Sequence, residues 1–303
     1  MFDLEPTVKS RELGRALARA AAAKGLNGRQ IAFLLKWSPS RISRLYSGKR
    51  GARLVDIAAF LALVDVTGTR REELLELAKD AYDLGWWQQF GDRLPERHLT
   101  LAAHEDLSTA IIEYQDGYVP GLLQTEAYMR ALMRVLPTIP DGEIDQRVEM
   151  RTMRQDILDR KKPAKFQFFL DEYMVTRTGF GRQIMSDQVH HLLRMAVRPH
   201  VAIRVIPDAV GIHGGQMPFK LMDFLEINSV VFLENLTSTL FLERKDALES
   251  YRRIVADLDR VALDEGRSRA WLATVATTLG EPREEQDEHA PLGDPDVEEE
   301  HFH

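Results

Sequence analysis

The sequence contains no cysteine, which excludes disulfides, a thiolate metal site and a cysteine nucleophile, and which is compatible with a reducing cytoplasm. It also has no apolar run approaching the ~18 residues needed to cross a bilayer. The opening stretch MFDLEPTVKSREL lacks the apolar core of a signal peptide. A soluble, cytoplasmic chain with no membrane partner is the expectation. A third scarcity is local. Between residues 9 and 53 a single acid, Glu12, stands against twelve lysines and arginines, a net charge of +11. The whole chain carries −7, so everything outside this stretch sums to −18. A basic head on an acidic body is the electrostatic footprint of nucleic-acid contact confined to one end. The bland alternative is a solvated basic surface.

What is present begins with NGRQIAFLLKWSPSRISRLYSGKRG, Asn27–Gly51, which reads as two short helices joined by a tight turn. Asn27 is a good N-cap, Gln30 can return its hydrogen bond, and Ile31, Ala32 and Leu35 form an apolar stripe up to an end near Lys36. Ser38-Pro39 opens the second helix: serine caps the free N–H groups, and proline at the first position has no N–H to leave orphaned. Ile42 and Leu45 face inward, leaving Ser40, Arg41, Ser43, Arg44 and Ser47 on the outer face, and Gly48 stops the helix with positive φ. That outer face is shaped for a DNA major groove, where arginine pairs with guanine and serine bonds a phosphate or base edge. The expected contacts to double-stranded DNA are Arg29, Ser38, Ser40, Arg41, Ser43, Arg44, Lys49 and Arg50. Of these, Arg41 and Arg44 would read bases and Lys49, beyond the helix stop, would meet phosphate.

The run Leu26–Arg50 resembles the helix-turn-helix of XRE-type transcription regulators, whose second helix commonly reads Ser-x-x-x-Ile-Ser-Arg-Leu-Glu-x-Gly. Ser38, Ile42, Ser43, Arg44, Leu45 and Gly48 match. Tyr46 replaces the usual acid, and Gly28 stands where a phosphate-contacting glutamine is common. The resemblance implies base reading by Ser40, Arg41 and Arg44.

Around this motif, Ser10 is the expected cap of a first helix carrying Leu13, Ala16, Leu17 and Ala20 inward. Leu54, Ile57, Ala58 and Leu61 mark a fourth helix, and Thr69-Arg70-Arg71-Glu72 reads as a capping box opening a fifth with Leu74, Leu75 and Ala78. The length of 303 residues suggests about two domains. We expect an all-α helix-turn-helix domain over 1–85, a Trp-rich clasp over 86–98 containing Trp86 and Trp87, a mixed α/β sensor or partner-binding domain over 99–279, and a disordered tail over 280–303. The tail assignment rests on ten acids, three prolines and only Arg283 as a base in 281–303.

In the second domain the expectation is a helix ending in Ile111–Gln115, then a turn between helices at Pro120-Gly121. Leu122, Leu123, Tyr128, Leu132 and Val135 form an apolar seam, and a long polar helix covers 141–160. Strands follow at 165–170, 200–206, 219–225 and 230–233, with a helix near 186–197 between the first two and a hairpin near Asn228-Ser229. Helices close the fold from about Arg244 to Leu279. The fold class is α+β, with a small mixed sheet flanked by helices. GWWQQF and VPGLLQTEAY resemble the domain of unknown function that follows an XRE-type helix-turn-helix in many regulators of high-GC Gram-positive bacteria. That resemblance implies transcriptional control, often with a small companion protein encoded nearby.

Candidate chemistry elsewhere is weaker. His213 lies in the loop Gly211–Gly215, Glu172 and Glu234 sit near strand ends, and Asp223 with Glu243-Arg244-Lys245 imitates a nuclease carboxylate–lysine spacing. A glycine-rich loop with one histidine is usually a turn, and Glu-x-Lys arises by chance in a chain that is 29% charged. His190 and His191 are adjacent and point apart on a helix. We expect no enzyme and no cofactor or metal. The leading function is a sequence-specific DNA-binding regulator, acting as a homodimer joined through its second domain by the Leu122–Val135 seam or the helices after Arg244, because nothing in 1–85 looks like a surplus apolar face. The alternatives are an antitoxin-like protein sequestering a companion, or a metal-dependent nuclease.

Overall fold

The computed structural model describes residues 8–49, 53–81, 96–235 and 238–281. Arg50, the Trp86-Trp87 cluster and the acidic tail after Glu281 lie outside the described residues. The helical part comprises α1 (Val8–Ala23), α2 (Gly28–Leu34), α3 (Pro39–Tyr46), α4 (Leu54–Leu63) and α5 (Gly68–Asp80). They enclose one apolar cluster in which Leu13, Leu17, Ile31, Ile42, Leu45, Ile57, Phe60, Leu61 and Leu74 are all buried. Two glycines make this packing possible. At Gly14 a Cβ would lie 2.4 Å from the Tyr46 carbonyl oxygen, so α1 can cross the end of α3 only without a side chain there. Gly48 has φ +74°, and its Cβ would strike Ser10 and Arg11 at 2.8 Å.

The second part contains α6 (Glu96–Leu107), β1 (Ala110–Gln115), α7 (Glu126–Val135), α8 (Ile144–Gln155), β2 (Lys165–Asp171), α9 (Tyr173–Thr176), α10 (Arg182–Ala196), β3 (Val201–Ile206), β4 (Phe219–Asp223), β5 (Val230–Glu234), β6 (Thr239–Leu242), α11 (Lys245–Val261) and α12 (Glu265–Gly280). Among the described residues the sheet has six strands in the order β3-β2-β1-β4-β5-β6. The β1, β2 and β3 strands run parallel through crossovers, while β4, β5 and β6 are added as antiparallel neighbours. Ile111, Phe166, Phe168, Leu170, Met222 and Val230 pack on one face against α7, α10 and α12. Tyr114, Phe169, Phe219, Leu221 and Val231 pack on the other against Val255 and Leu258 of α11. The chain is therefore α+β, a helical domain followed by a mixed sheet flanked by helices.

Several expectations change. Helix α1 starts at Val8, which places Ser10 inside it and buried rather than at the cap. Helix α5 starts at Gly68 behind Thr67, so Thr69 lies within the helix and no capping box forms there. Residues 110–115 are a strand near the middle of the sheet, not a helix end. Their side chains alternate between the two covered faces, but Glu113 occupies an inward position and disguises the period. The Pro120-Gly121 turn leads from β1 through a single 3-10 turn, Gly121–Leu123, into α7. The β6 strand, Thr239–Leu242, adds an edge whose side chains are only half-buried or exposed, and its apolar run, Leu240–Leu242, is too short to announce a strand.

The apolar seam also resolves differently. Leu122, Leu123, Tyr128 and Leu132 are core residues, leaving Val135 exposed, so this stretch offers no dimer face. Conversely, the helical domain does expose apolar side chains, Phe33 at 83% and Leu34 at 49%.

The two parts touch through charge. Arg19 of α1 donates to the backbone oxygen of Glu226 at 2.7 Å and to its Oε2 at 3.2 Å, and Arg70 of α5 reaches the same carboxylate. Lys9 pairs with Asp106 at 3.1 Å and Arg11 with Glu243 at 3.6 Å. Glu12 is buried at this junction, where loss of water raises its carboxyl to about 7 despite the Leu225 N–H that it accepts. Part of the basic head therefore neutralises the acidic body, and α1 is a docking helix rather than a free basic surface.

Candidate nucleic-acid interface

The α2–turn–α3 unit is fixed by its caps. Asn27 Oδ1 accepts from the N–H groups of Arg29 and Gln30, both at 3.0 Å, while Gln30 Oε1 accepts from Asn27 N–H at 2.8 Å, completing a capping box. The turn reverses at Lys36, with φ +55°. Ser38 Oγ then accepts from Arg41 N–H at 3.2 Å, with Pro39 in the first helical position. Ile42 and Leu45 are buried, as the apolar spacing requires.

Helical geometry turns Ser40, Ser43, Arg44 and Ser47 away from these two anchors. Ser40, Ser43 and Ser47 are exposed, as are Arg29 and Lys49. Ser38 is exposed too, but its hydroxyl is already used by the cap and by Ser40 Oγ at 3.1 Å. Ser47 donates to the Arg44 carbonyl at 3.1 Å. Arg44 is half-buried, and its Nε is enclosed without a hydrogen-bond partner. Arg41 turns aside: its guanidinium donates to Asp56 of α4 at 2.8 Å and lies 4.0 Å over the Trp37 ring. Of the two arginines expected to read bases, the structure leaves Arg44 on the outer face and tethers Arg41.

Between α2 and α3 runs an open cleft of about 770 Å³ lined by Asn27, Gly28, Arg29, Pro39, Ile42, Ser43, Tyr46 and Ser47. Here the two departures from the XRE-type pattern meet. A Cβ on Gly28 would lie 3.4 Å from Ile42 Cγ2 and 3.7 Å from Tyr46 Cε2, ordinary contact distances, so the glycine is not required by the packing there. Sequence reasoning missed Asp56 and Trp37 as holders of Arg41. The available signal was Asp56 in the first turn of α4, where its carboxylate also accepts from Arg53 N–H at 3.3 Å.

The candidate chemical groups of the second domain are dispersed. Asp223 is held by Arg252 at 2.6 Å and by Ser229, Glu243 pairs with Arg11, and Lys245 pairs with Glu249 at 3.7 Å. Among the described residues no group of three or more acids and histidines could hold a metal ion. His213 closes a small buried cluster: its Nε2 lies 3.3 Å from Asp171 Oδ1, its Nδ1 accepts from Gly215 N–H at 3.2 Å, and Tyr114 donates to Asp171 Oδ2 at 2.9 Å. Burial raises both the Asp171 carboxyl and the Tyr114 hydroxyl. Nδ1 of His213 is engaged by Gly215, whereas Asp171 Oδ1, the oxygen facing Nε2, is buried without a hydrogen-bond partner. Glu172 Oε2 accepts from Asp208 N–H at 2.9 Å, and His190 Nδ1 lies 2.8 Å from the Ser186 carbonyl.

A capped helix pair with a polar, partly basic outer face inside a five-helix unit defines a helix-turn-helix domain. Residues 12–74 match a helix-turn-helix domain family, and residues 99–274 match a domain of unknown function, DUF5753. The second match covers more than half of the chain, and the protein belongs to that family. No curated protein and no solved structure matches the chain. Among the described residues no helix is long and apolar enough to cross a membrane.

Proposed function

We propose that this protein is a sequence-specific transcriptional regulator of the XRE type. Its α3 helix enters the DNA major groove, and its DUF5753 domain governs that binding by sensing a small molecule or engaging a partner. The observation that carries the reading is the doubly capped α2–turn–α3 unit, which presents Ser40, Ser43, Arg44 and Ser47 outward with Arg29 and Lys49 at its flanks. Arg44 contributes base readout, and Arg29, Lys49 and Arg50 contact phosphates.

One short reading helix distinguishes too few base pairs to select an operator from a genome. We therefore place the protein on DNA as a homodimer with its recognition helices roughly 34–36 Å apart, one helical turn, or a multiple of that spacing. The second domain is non-enzymatic in this reading. Sequencing DNA fragments selected by the purified full-length protein tests the proposal. The expected result is a two-fold symmetric motif with that half-site spacing. Recovery of no motif from a folded protein would refute sequence-specific regulation, and an asymmetric single site would refute the dimer.

A further inference from the structure

Among the described residues, the cations of the helical domain fall into two sets. Arg19 and Arg70 are held by Glu226, Lys24 by Asp65, and Arg41 and Arg53 by Asp56. Arg29, Lys36 and Lys49 are exposed and have no ion pair with any described residue. All three belong to Asn27–Lys49, a run that contains no acid. The face they occupy also carries something that DNA does not use. Beside the cleft between α2 and α3 lies an apolar pocket of about 370 Å³ lined by Leu26, Arg29, Gln30, Phe33 and Leu34. Phe33 is 83% and Leu34 49% exposed. Arg29 lines both the pocket and the cleft, so a chain that lies in the cleft and continues over Arg29 arrives at Phe33. A phosphate backbone satisfies the cation but has nothing to bury against two exposed apolar side chains. The occupant that fits both is acidic, with an apolar group close to its carboxylates.

Residues 282–303 of this chain answer that description. They hold nine acids against one base, Arg283, and one aromatic residue, Phe302, in the run Glu298-Glu299-Glu300-His301-Phe302. In an extended chain residues two apart share a side, so Glu300 and Phe302 can face one surface about 7 Å apart. Arg29 and Phe33, one turn apart on α2, are neighbours at a similar spacing, about 5–6 Å between Cβ atoms. The root of the segment is fixed, because Arg182 donates to the carbonyl oxygens of Thr278 and Glu281 at 2.6 and 2.9 Å. From that root the 22 residues span about 70 Å when extended. A compact body of this chain's length is about 50 Å across, so the segment is long enough to reach α2.

We propose that residues 282–303 dock on the α2–α3 face of their own chain, with Phe302 in the Leu26–Phe33–Leu34 pocket and the flanking carboxylates on Arg29, Lys36 and Lys49, and so compete with DNA. The competition rests on the reading of α3 as a DNA-reading helix; the docking does not. A tethered segment acts at an effective concentration of about 1 mM, so even a contact with a Kd of about 0.1 mM keeps the face covered most of the time. Covering the face lowers the apparent affinity for DNA of any sequence by about tenfold. The acids of the segment and the unpaired cations of the face thus belong to one intramolecular contact, which DNA must displace.

Docking is tested without DNA. A carbodiimide joins lysine amines to carboxylates in contact, and in the full-length protein at low salt it should link Lys36 or Lys49 to acids between Glu284 and Glu300. The Lys24–Asp65 pair reports that the reaction has worked. The yield of the new links should be independent of protein concentration, and Phe302→Ser should lower it. A joined Lys24–Asp65 pair with no link from the segment to this face overturns the docking. A yield that rises with protein concentration assigns the contact to the segment of a second copy and overturns the intramolecular form, and an unchanged yield in Phe302→Ser overturns the pocket as its seat. Competition is tested by titrating a duplex of scrambled sequence. Phe302→Ser alters no charge, yet it should bind that duplex more tightly than wild type, by up to about tenfold. Equal affinities of the two forms overturn the competition. If neither form binds any duplex while the links form, the DNA-binding reading fails and the docking stands.

Discussion

Among the described residues of the helical domain, Glu12 is the one charged side chain that is buried, whereas the sheet domain buries Glu105, Glu113, Arg154, Asp171, Lys220 and Glu226. The helical domain thus follows the ordinary rule that cores are apolar and charges face water or a partner. Its arginines and lysines are distributed between two faces: Arg19 and Arg70 grip the sheet domain, while Arg29, Arg44 and Lys49 remain on the side of α2 and α3. The sheet domain keeps charge inside, where each ion loses its hydration and must be paired in place. Desolvated ionisable groups in a cleft are more common at functional sites than in plain scaffolding. The contrast is therefore between a domain whose chemistry lies on its surface and one whose chemistry lies within.

The sharpest way to break this contrast is Arg154→Met. The substitution leaves the buried Glu105 carboxylate with Lys220 alone, and removal of one partner from a buried pair costs about 3–5 kcal/mol. Urea unfolding of the variant should show that loss; a change no larger than that of a surface substitution would mean that the layer is wet and carries little. The same pair sets a pH dependence. Burial alone would raise Glu105, but Arg154 and Lys220 outweigh it and hold the carboxyl at about 2. A depressed acid contributes stability that is present above its unfolded value of 4.5 and is lost as pH falls toward 2. Acid titration of wild type should show this loss, and Glu105→Gln should lack it.

At the domain junction the sign reverses. Glu12 is raised from 4.5 to about 7 by burial, so its protonated form suits the docked state. The corresponding stability is present below 4.5 and lost as pH rises through 7. Glu12→Gln keeps an acceptor for the Leu225 N–H and removes the charge. It should flatten the pH profile between those values and stabilise the protein at pH 8 by up to about 3 kcal/mol, following the free-energy equivalent of a pKa shift. Thermal melts of both forms across that range check it, and parallel profiles would show that Glu12 is solvated.

The same contrast explains what could be read without the structure. Helix caps are local chemistry: Asn27 with Gln30, and Ser38 with Pro39, announce α2 and α3 within four residues and need no tertiary information. Strands β2, β3, β4 and β5 were legible as apolar runs. The β1 strand was not, because Glu113 and Gln115 face inward, and the charge of Glu113 is compensated by Lys220, which lies more than a hundred residues away in the chain. Cap signals also failed when the competing partner was distant. Ser10 is buried beside Gly48, and Arg70 of the supposed capping box belongs to Glu226. Likewise, the outward placement of Arg44 follows from helical period alone, whereas the turning of Arg41 toward Asp56 depends on α4.

That last difference gives the smallest expected effects and the most direct test of the reading face. Arg44→Ala should reduce discrimination for a selected operator by about 1–3 kcal/mol, the range of a bidentate base contact, and Lys49→Ala should weaken binding alike on all sequences. Arg41→Ala removes a half-exposed ion pair whose contribution to stability is about 0.2–1 kcal/mol, and it should alter operator discrimination less than Arg44→Ala does. Titration of the three variants against the selected operator and a scrambled duplex at one salt concentration separates these effects. If Arg41→Ala loses as much discrimination as Arg44→Ala, then Arg41 leaves Asp56 and Trp37 when DNA binds. In that case Asp56→Ala, which frees the arginine in advance, should tighten binding on the operator rather than weaken it.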